Sequence, residues 1–127
     1  MMKRLVVFLS LLLLYFTVPH TLEDFATGEP AQAGVPVVVL SLVLSTLIML
    51  HAAGLYWIGQ NKRRGLLIQA GVGLFWPVAA GAAQLPTILS GEPYRSGFIS
   101  VLYVLGIIVV GVLLLISALL AWRQAQR

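Results

Sequence analysis

Residues 98–122 read FISVLYVLGIIVVGVLLLISALLAW, a run of 25 residues without a charged side chain. As an α-helix this run would be about 37 Å long, more than the ~30 Å hydrocarbon core of a bilayer. A helix makes all its backbone hydrogen bonds within one segment, which is what lipid requires. The run therefore predicts a transmembrane helix.

Three further apolar runs precede this one, at residues 5–18, 35–58 and 65–89. The last two are long enough to span with some tilt, and the first is short but within the usual range. A signal peptide is the alternative for the first run. Its cleavage-like triplet, Ala-Gln-Ala at 31–33, begins 13 residues after Val18. That distance favours a retained membrane span.

The composition agrees with lipid as the solvent. Hydrophobic residues make up 60% of the 127 residues and charged residues only 9%, whereas soluble domains are about a quarter charged. Cysteine is absent, which excludes disulfides and thiolate metal sites. The sequence predicts an all-α integral membrane protein whose residues 1–127 form a single domain of four transmembrane helices.

Charge distribution predicts the orientation. Seven of the eight basic residues fall at one end of the four spans, and they are Lys3, Arg4, Lys62, Arg63, Arg64, Arg123 and Arg127. Arg95 is the exception, and all four acidic residues share its side. The positive-inside rule then places both termini in the cytoplasm of a cell whose plasma (inner) membrane holds this multi-pass chain. The basic residues flank spans and form no aromatic-interleaved patch, so no nucleic acid partner is predicted.

Two loops on the acidic side resemble each other. Residues 27–34 read TGEPAQAG and residues 90–97 read SGEPYRSG, at an offset of 63. The shared turn residues are Gly28, Glu29, Pro30, Gly91, Glu92 and Pro93. We interpret the pair as a tandem duplication of a two-helix hairpin, with repeats at 1–60 and 61–127. Chance resemblance between two turn-rich loops is the alternative.

The densest polar cluster follows the first span. Pro19 predicts a helix break there and the start of a short new helix. At spacings of i, i+3 and i+4, His20, Glu23 and Asp24 would share one face of that helix. Such a set could hold a divalent cation or exchange protons. The alternative is a solvated interfacial helix with an internal ion pair.

Two polar residues are expected inside the spans. His51 lies within the second span and Gln69 at a similar depth in the third, so we predict that they form an intramembrane polar pair. Pro77 should kink the third span and either open a pocket or be tolerated as an ordinary transmembrane proline. The fourth span is rich in Leu, Ile and Val and looks more lipid-facing than the second and third, although Gly106 and Gly111 could receive a neighbouring helix.

Function is less constrained than fold. No nucleotide-binding, hydrolase or metalloprotease motif is present, so no catalytic residue is predicted. The leading hypothesis is a non-catalytic accessory or scaffold subunit that packs with a membrane partner. The alternatives are a membrane-embedded binder or enzyme for a lipophilic molecule, and a small transporter or channel formed by a homo-oligomer. No cofactor is predicted, and a lipid, a quinone or a divalent cation remains open.

Overall fold

The computed structural model describes residues 1–126, so Arg127, one of the basic residues that predict the orientation, lies outside the described part. The helices are α1 (Met2–Thr27), α2 (Glu29–Gln32), α3 (Val37–Gly59), α4 (Arg64–Leu89) and α5 (Phe98–Gln124). All except α2 are long and apolar enough to cross a membrane. The predicted all-helical fold with four potential spans is confirmed.

Helix α1 differs from its prediction. It continues through Pro19 to Thr27, so the predicted break after the first span is wrong. Proline removes only one backbone hydrogen bond, and packing against neighbouring helices compensates for that loss. The helix ends instead at Gly28, which has φ 68° and donates its N–H to the carbonyl oxygen of Asp24 at 3.1 Å. A left-handed glycine is a common helix stop.

The four long helices pack in the spatial order α1, α5, α4, α3. The α4–α5 contact is the most extensive, α1–α5 and α3–α4 follow, and α1 and α3 touch little. Helix α5 therefore has two neighbours. It is less buried than α4, as predicted, but more buried than α3, which is contrary to the prediction. In its apolar window 33% of the residues are buried, compared with 17% in α3. Hydropathy cannot separate these helices because lipid-facing and helix-facing residues are both apolar.

Glycines permit the closest helix contacts. A Cβ atom on Gly73 would lie 2.8 Å from the carbonyl oxygen of Gly111, and one on Gly111 would overlap the ring of Pro77. A Cβ on Gly106 would lie 2.6 Å from the ring of Phe16 in α1. Small residues allow such backbone approach in membranes. The prediction that Gly106 and Gly111 receive a neighbouring helix is confirmed.

The two related loops share a backbone feature. The glycines at their second and last positions all have positive φ, with values of 68° and 86° in the first loop and 78° and 75° in the second. Glycine adopts this region without steric cost, which explains its presence at these positions in both loops. Between the glycines the loops differ, because Glu29–Gln32 forms α2 whereas residues 92–96 form no helix and Arg95 has φ 38°.

Candidate functional site

A groove of about 340 Å³ lies between α3 and the α1–α4 side of the bundle. It exists because α1 and α3, although joined by a short loop, are splayed apart. Its wall is mostly apolar and includes Leu40, Leu44, Leu47, Trp76, Ala79 and Ala80. Val43 and Ala83, also in the wall, are exposed on the outside of the bundle, so the groove is open laterally.

Polar residues collect at one end of the groove, next to the loops. They are His20 and Asp24 from α1, Glu29 from α2, and Gln84 from α4. The groove therefore has a polar end next to the loops and an apolar body toward the middle of the bundle. This division matches a molecule with a polar head and an apolar body.

His20 is the least satisfied of these polar residues. It is only 3% exposed, and its Nδ1 atom has no hydrogen-bond partner among residues 1–126. Its Nε2 atom lies 3.9 Å from Oδ2 of Asp24, which is beyond hydrogen-bond range. Neither ring nitrogen of His20 therefore has a hydrogen bond within residues 1–126. An unsatisfied buried polar group costs about 1–3 kcal/mol.

Gln84 is held in one orientation. Its Oε1 atom accepts a hydrogen bond from the hydroxyl of Tyr94 at 2.7 Å. The amide nitrogen of Gln84 is then left as a donor at the groove. Burial raises the pKa of Tyr94 to about 12, so its phenol stays protonated and keeps donating at neutral pH. The tyrosine therefore fixes which atoms Gln84 offers to a ligand.

Arg95 organises the acidic residues around the groove. Its Nη2 atom lies 2.6 Å from both Oδ1 of Asp24 and Oε2 of Glu29, and its Nη1 atom lies 3.6 Å from Oε2 of Glu23. The side chain is 1% exposed. Burial by itself would lower the pKa of Arg95, but the hydrogen bonds to Glu29 and Asp24 outweigh burial and raise it. The guanidinium is thus a permanent cation that binds α1 and α2 to the second loop.

The predicted cluster of His20, Glu23 and Asp24 does come together, but its carboxylates already have partners. Arg95 contacts both acids, and Ser100 donates a hydrogen bond to Glu23. Within residues 1–126 no group of three His, Asp or Glu side chains is placed to hold a metal ion. The alternative was a solvated helix with an internal ion pair, but the cation that pairs with these acids is Arg95 of the loop between α4 and α5.

Sequence reasoning missed Arg95 as a site residue. The signal was present, because Arg95 is the one basic residue on the side of the spans that holds all four acids. Opposite charges in a partly buried site attract more strongly than in water. What the sequence did not indicate was which acids would reach it.

The predicted pair of His51 and Gln69 is adjacent but differently bonded. Gln69 donates to the main-chain carbonyl of His51 at 2.8 Å and accepts from the hydroxyl of Ser10 at 2.9 Å. Both ring nitrogens of His51 lack a partner among residues 1–126. The imidazole is therefore not the partner that we predicted.

Gly54 explains this arrangement. A Cβ atom at this position would lie 2.6 Å from Nε2 of Gln69, so only glycine lets the amide reach the backbone of α3. Within the described chain, the groove wall includes neither His51 nor Gln69. They form a buried link between α1, α3 and α4.

The other predicted features divide between the groove and the surface. Glu29 and Pro30 of the first loop line the groove, whereas Gly91, Glu92 and Pro93 of the second are exposed. Of the two alternatives for Pro77, the opened pocket is not where the groove lies. Over residues 1–126 the groove wall leaves Pro77 out, because its ring packs at Gly111 of α5. The space comes instead from the splayed first hairpin.

No protein-family model, curated protein or solved structure matches this chain. The chemistry of the groove must therefore carry the functional argument.

Proposed function

We propose that this protein binds one lipophilic molecule with a polar head in the lateral groove. The observation that carries the proposal is the nearly buried His20 at the polar end of an otherwise apolar groove, whose Nε2 atom lies 3.9 Å from Asp24 and makes no hydrogen bond within residues 1–126. The volume of about 340 Å³ falls within the usual range of small-molecule sites. A quinone or a lipid with a compact head has the required character.

The contacts define how such a molecule would lie. Its head would meet His20 and the amide nitrogen of Gln84, and its apolar body would extend along α3 and α4 toward Leu47 and Trp76. The lateral opening at Val43 and Ala83 would let the molecule enter from the lipid phase. Binding, rather than catalysis, is the proposed activity, because the carboxylates that could transfer protons are occupied by Arg95.

For topology we propose that both termini are cytoplasmic, in the plasma (inner) membrane, with the polar end of the groove on the opposite face. The bias of seven basic residues to the terminal end supports this orientation. Lys3 donates to Oδ1 of Asn61 at 2.9 Å, which is consistent with the N-terminus and the α3–α4 loop sharing one side.

We also propose that the chain arose by tandem duplication of a hairpin. Exchanging α1 with α4 and α3 with α5 turns the α1–α5 contact into the α4–α3 contact, so these two packings correspond. The α4–α5 contact has no comparable counterpart, because α1 and α3 touch little. The repeated positive φ values of the loop glycines support the same origin. On this proposal the groove lies where the first hairpin opened while the second stayed closed.

A second candidate is the accessory or scaffold subunit. The observation that favours it is the low burial of α3, at 17% of its apolar window. A membrane partner packed along α3 would cover that helix and the mouth of the groove. Co-purification distinguishes the two candidates, since a stoichiometric protein partner supports the subunit and a stoichiometric small molecule supports the binder.

The test is gentle extraction from native membranes followed by mass spectrometry of the organic extract. We expect about one lipophilic molecule per chain. The double variant Ala79→Leu/Ala83→Leu fills the groove and should release it, and His20→Ala should weaken its retention. Ala52→Leu, on the exposed surface of α3, is the matched control and should retain it.

The proposal fails if the groove variants hold the same molecules as Ala52→Leu while unfolding at the same temperature. It also fails if the unaltered protein carries only bulk lipid in the proportions of its membrane.

A further inference from the structure

A second cavity lies at the end of the bundle that carries both termini. Its volume is about 190 Å³, and its wall includes Lys3, Ile58, Asn61, Lys62, Arg63 and Leu66. It sits where the start of α1 meets the loop between α3 and α4. It is separate from the groove in both position and chemistry, so a ligand could bind here whether or not the groove is occupied.

The cavity is strongly basic. Three of its residues, Lys3, Lys62 and Arg63, are cations, and none has a carboxylate within 4.0 Å among residues 1–126. The one side-chain partner of Lys3 in this part of the chain is the neutral amide of Asn61, at 2.9 Å. All four acidic residues of the sequence belong to the opposite end of the bundle. The positive charge here is therefore not neutralised by the described chain.

Backbone geometry adds to the charge. Asn61 has φ 56°, a left-handed conformation that turns the chain from α3 into α4. Helix α4 then begins at Arg64 and runs for 26 residues, and in the described structure no side chain caps its start. The N–H groups of Gly65 and Leu66 bond to the carbonyl oxygens of Lys62 and Arg63, so the contribution of this helix start is the partial positive charge of its dipole.

We propose that this cavity binds a phosphate-bearing anion, either the headgroup of an anionic phospholipid or free phosphate. Three cations can each donate to phosphate oxygens, and Ile58 and Leu66 in the same wall suit the apolar part of a lipid. The site lies at the depth of lipid headgroups if the four long helices span the bilayer. Basic pockets between helices commonly take lipid phosphates.

The test uses the full chain in nanodiscs that contain phosphatidylcholine and phosphatidylglycerol, with native mass spectrometry to count retained lipids. We expect selective retention of phosphatidylglycerol. Lys3→Gln/Lys62→Gln should reduce that retention roughly tenfold or more, because both lost ammonium groups line the cavity and would donate directly to the phosphate, and one hydrogen bond to a charged group contributes about tenfold. Nanodiscs expose both faces, so a change of orientation in cells would not affect the result.

The matched control is Arg4→Gln/Arg123→Gln, which removes the same charge at the same end but from outside the cavity wall. It should retain phosphatidylglycerol as the unaltered protein does. Excess inorganic phosphate separates the two sources. Displacement of the lipid identifies phosphate itself as the ligand, and persistence of the lipid identifies the whole headgroup.

Equal retention of the two phospholipids by the unaltered protein would overturn the proposal. So would an equal loss in the two double variants, since that result would mean that diffuse charge attracts the lipid. Thermal unfolding of each variant shows whether the fold is intact, and Lys62→Gln alone gives a milder change with the same expected direction.

Discussion

The Nη2 atom of Arg95 lies 2.6 Å from Oδ1 of Asp24, although the two residues are 71 positions apart in the sequence. Arg95 belongs to the loop between α4 and α5, and Asp24 to the last turn of α1. Their contact therefore joins α1 to the loop between α4 and α5 at the acidic end of the bundle, next to the polar end of the groove. Glu29 completes the site by accepting from both Nε and Nη2 of the guanidinium.

Replacing Arg95 with Gln should strongly destabilise the protein. The change leaves three carboxylates without their cation, and breaking a buried pair by removing one partner costs roughly 3–5 kcal/mol. We expect a loss near the lower limit, because Glu29 is partly exposed. The measurement is reversible unfolding in mixed micelles.

Arg95→Lys keeps the positive charge but loses the forked hydrogen-bonding geometry of the guanidinium. Its free energy of unfolding should therefore lie between those of Arg95→Gln and the unaltered protein. Arg123→Gln, at an exposed position, is the control and should unfold like the unaltered protein. If Arg95→Gln were as stable as Arg123→Gln, the ion pairs would contribute nothing to stability.

The pKa of Tyr94 predicts how stability changes at high pH. The folded protein holds the phenol proton up to pH about 12, whereas an unfolded tyrosine loses it near pH ~10. Between those values the unfolded state binds fewer protons, so the free energy of unfolding falls as pH rises. Below pH ~10 this contribution is fully present.

Unfolding measured from neutral pH to above pH 12 should therefore show a decline that Tyr94→Phe makes shallower. The phenylalanine variant should also be less stable at neutral pH, because Gln84 loses its hydrogen-bond donor. Tyr56→Phe, at an exposed position, should keep the alkaline decline of the unaltered protein. An identical decline in both variants would assign it to another group.

Replacing two glycines of α4 with alanine should have different effects on stability. A Cβ atom on Gly73 would lie 2.7 Å from the backbone nitrogen of Leu115, so Gly73→Ala must push α5 away. Overpacking of this kind costs about 1–3 kcal/mol. Gly71 has nothing within 4 Å of its would-be Cβ, so Gly71→Ala should be neutral or stabilise by up to about 1 kcal/mol.

Unfolding of the two alanine variants in the same detergent tests this contrast. The comparison controls for helix propensity, since both changes are glycine to alanine within one helix. Equal stabilities for the pair would mean that α4 and α5 do not approach each other at Gly73.

The hydrogen-bonded side chains of Ser10 and Gln69 should be energetically coupled in unfolding. Ser10→Ala removes the donor to the buried amide oxygen and should cost about 1 kcal/mol, in line with interhelical hydrogen bonds in membranes. In a Gln69→Leu background the same change should cost almost nothing. A double-mutant cycle of unfolding free energies measures this difference.

Ser45→Ala removes an exposed hydroxyl from α3 and should leave stability unchanged in either background. Additive effects of Ser10→Ala and Gln69→Leu would contradict the bond between these side chains.

The sequence by itself determined the helices. Each apolar run became one long helix with ends within a few residues of the prediction, apart from α1, which continues to Thr27. The reason is local, since a helix satisfies its own backbone and hydropathy is a property of one segment. The distribution of charge likewise marked the acidic end, where His20, Glu23 and Asp24 lie together as predicted.

Only the tertiary structure decided which residues meet across helices. Arg95 contacts Asp24 and Glu29, Gln69 bonds to the backbone of α3 rather than to the imidazole of His51, and the groove opens between α1 and α3 rather than at Pro77. Each outcome depends on the rotation and separation of whole helices. Those are set by a few close contacts, such as Gly73 with α5, because apolar surfaces facing lipid and facing another helix are alike in composition.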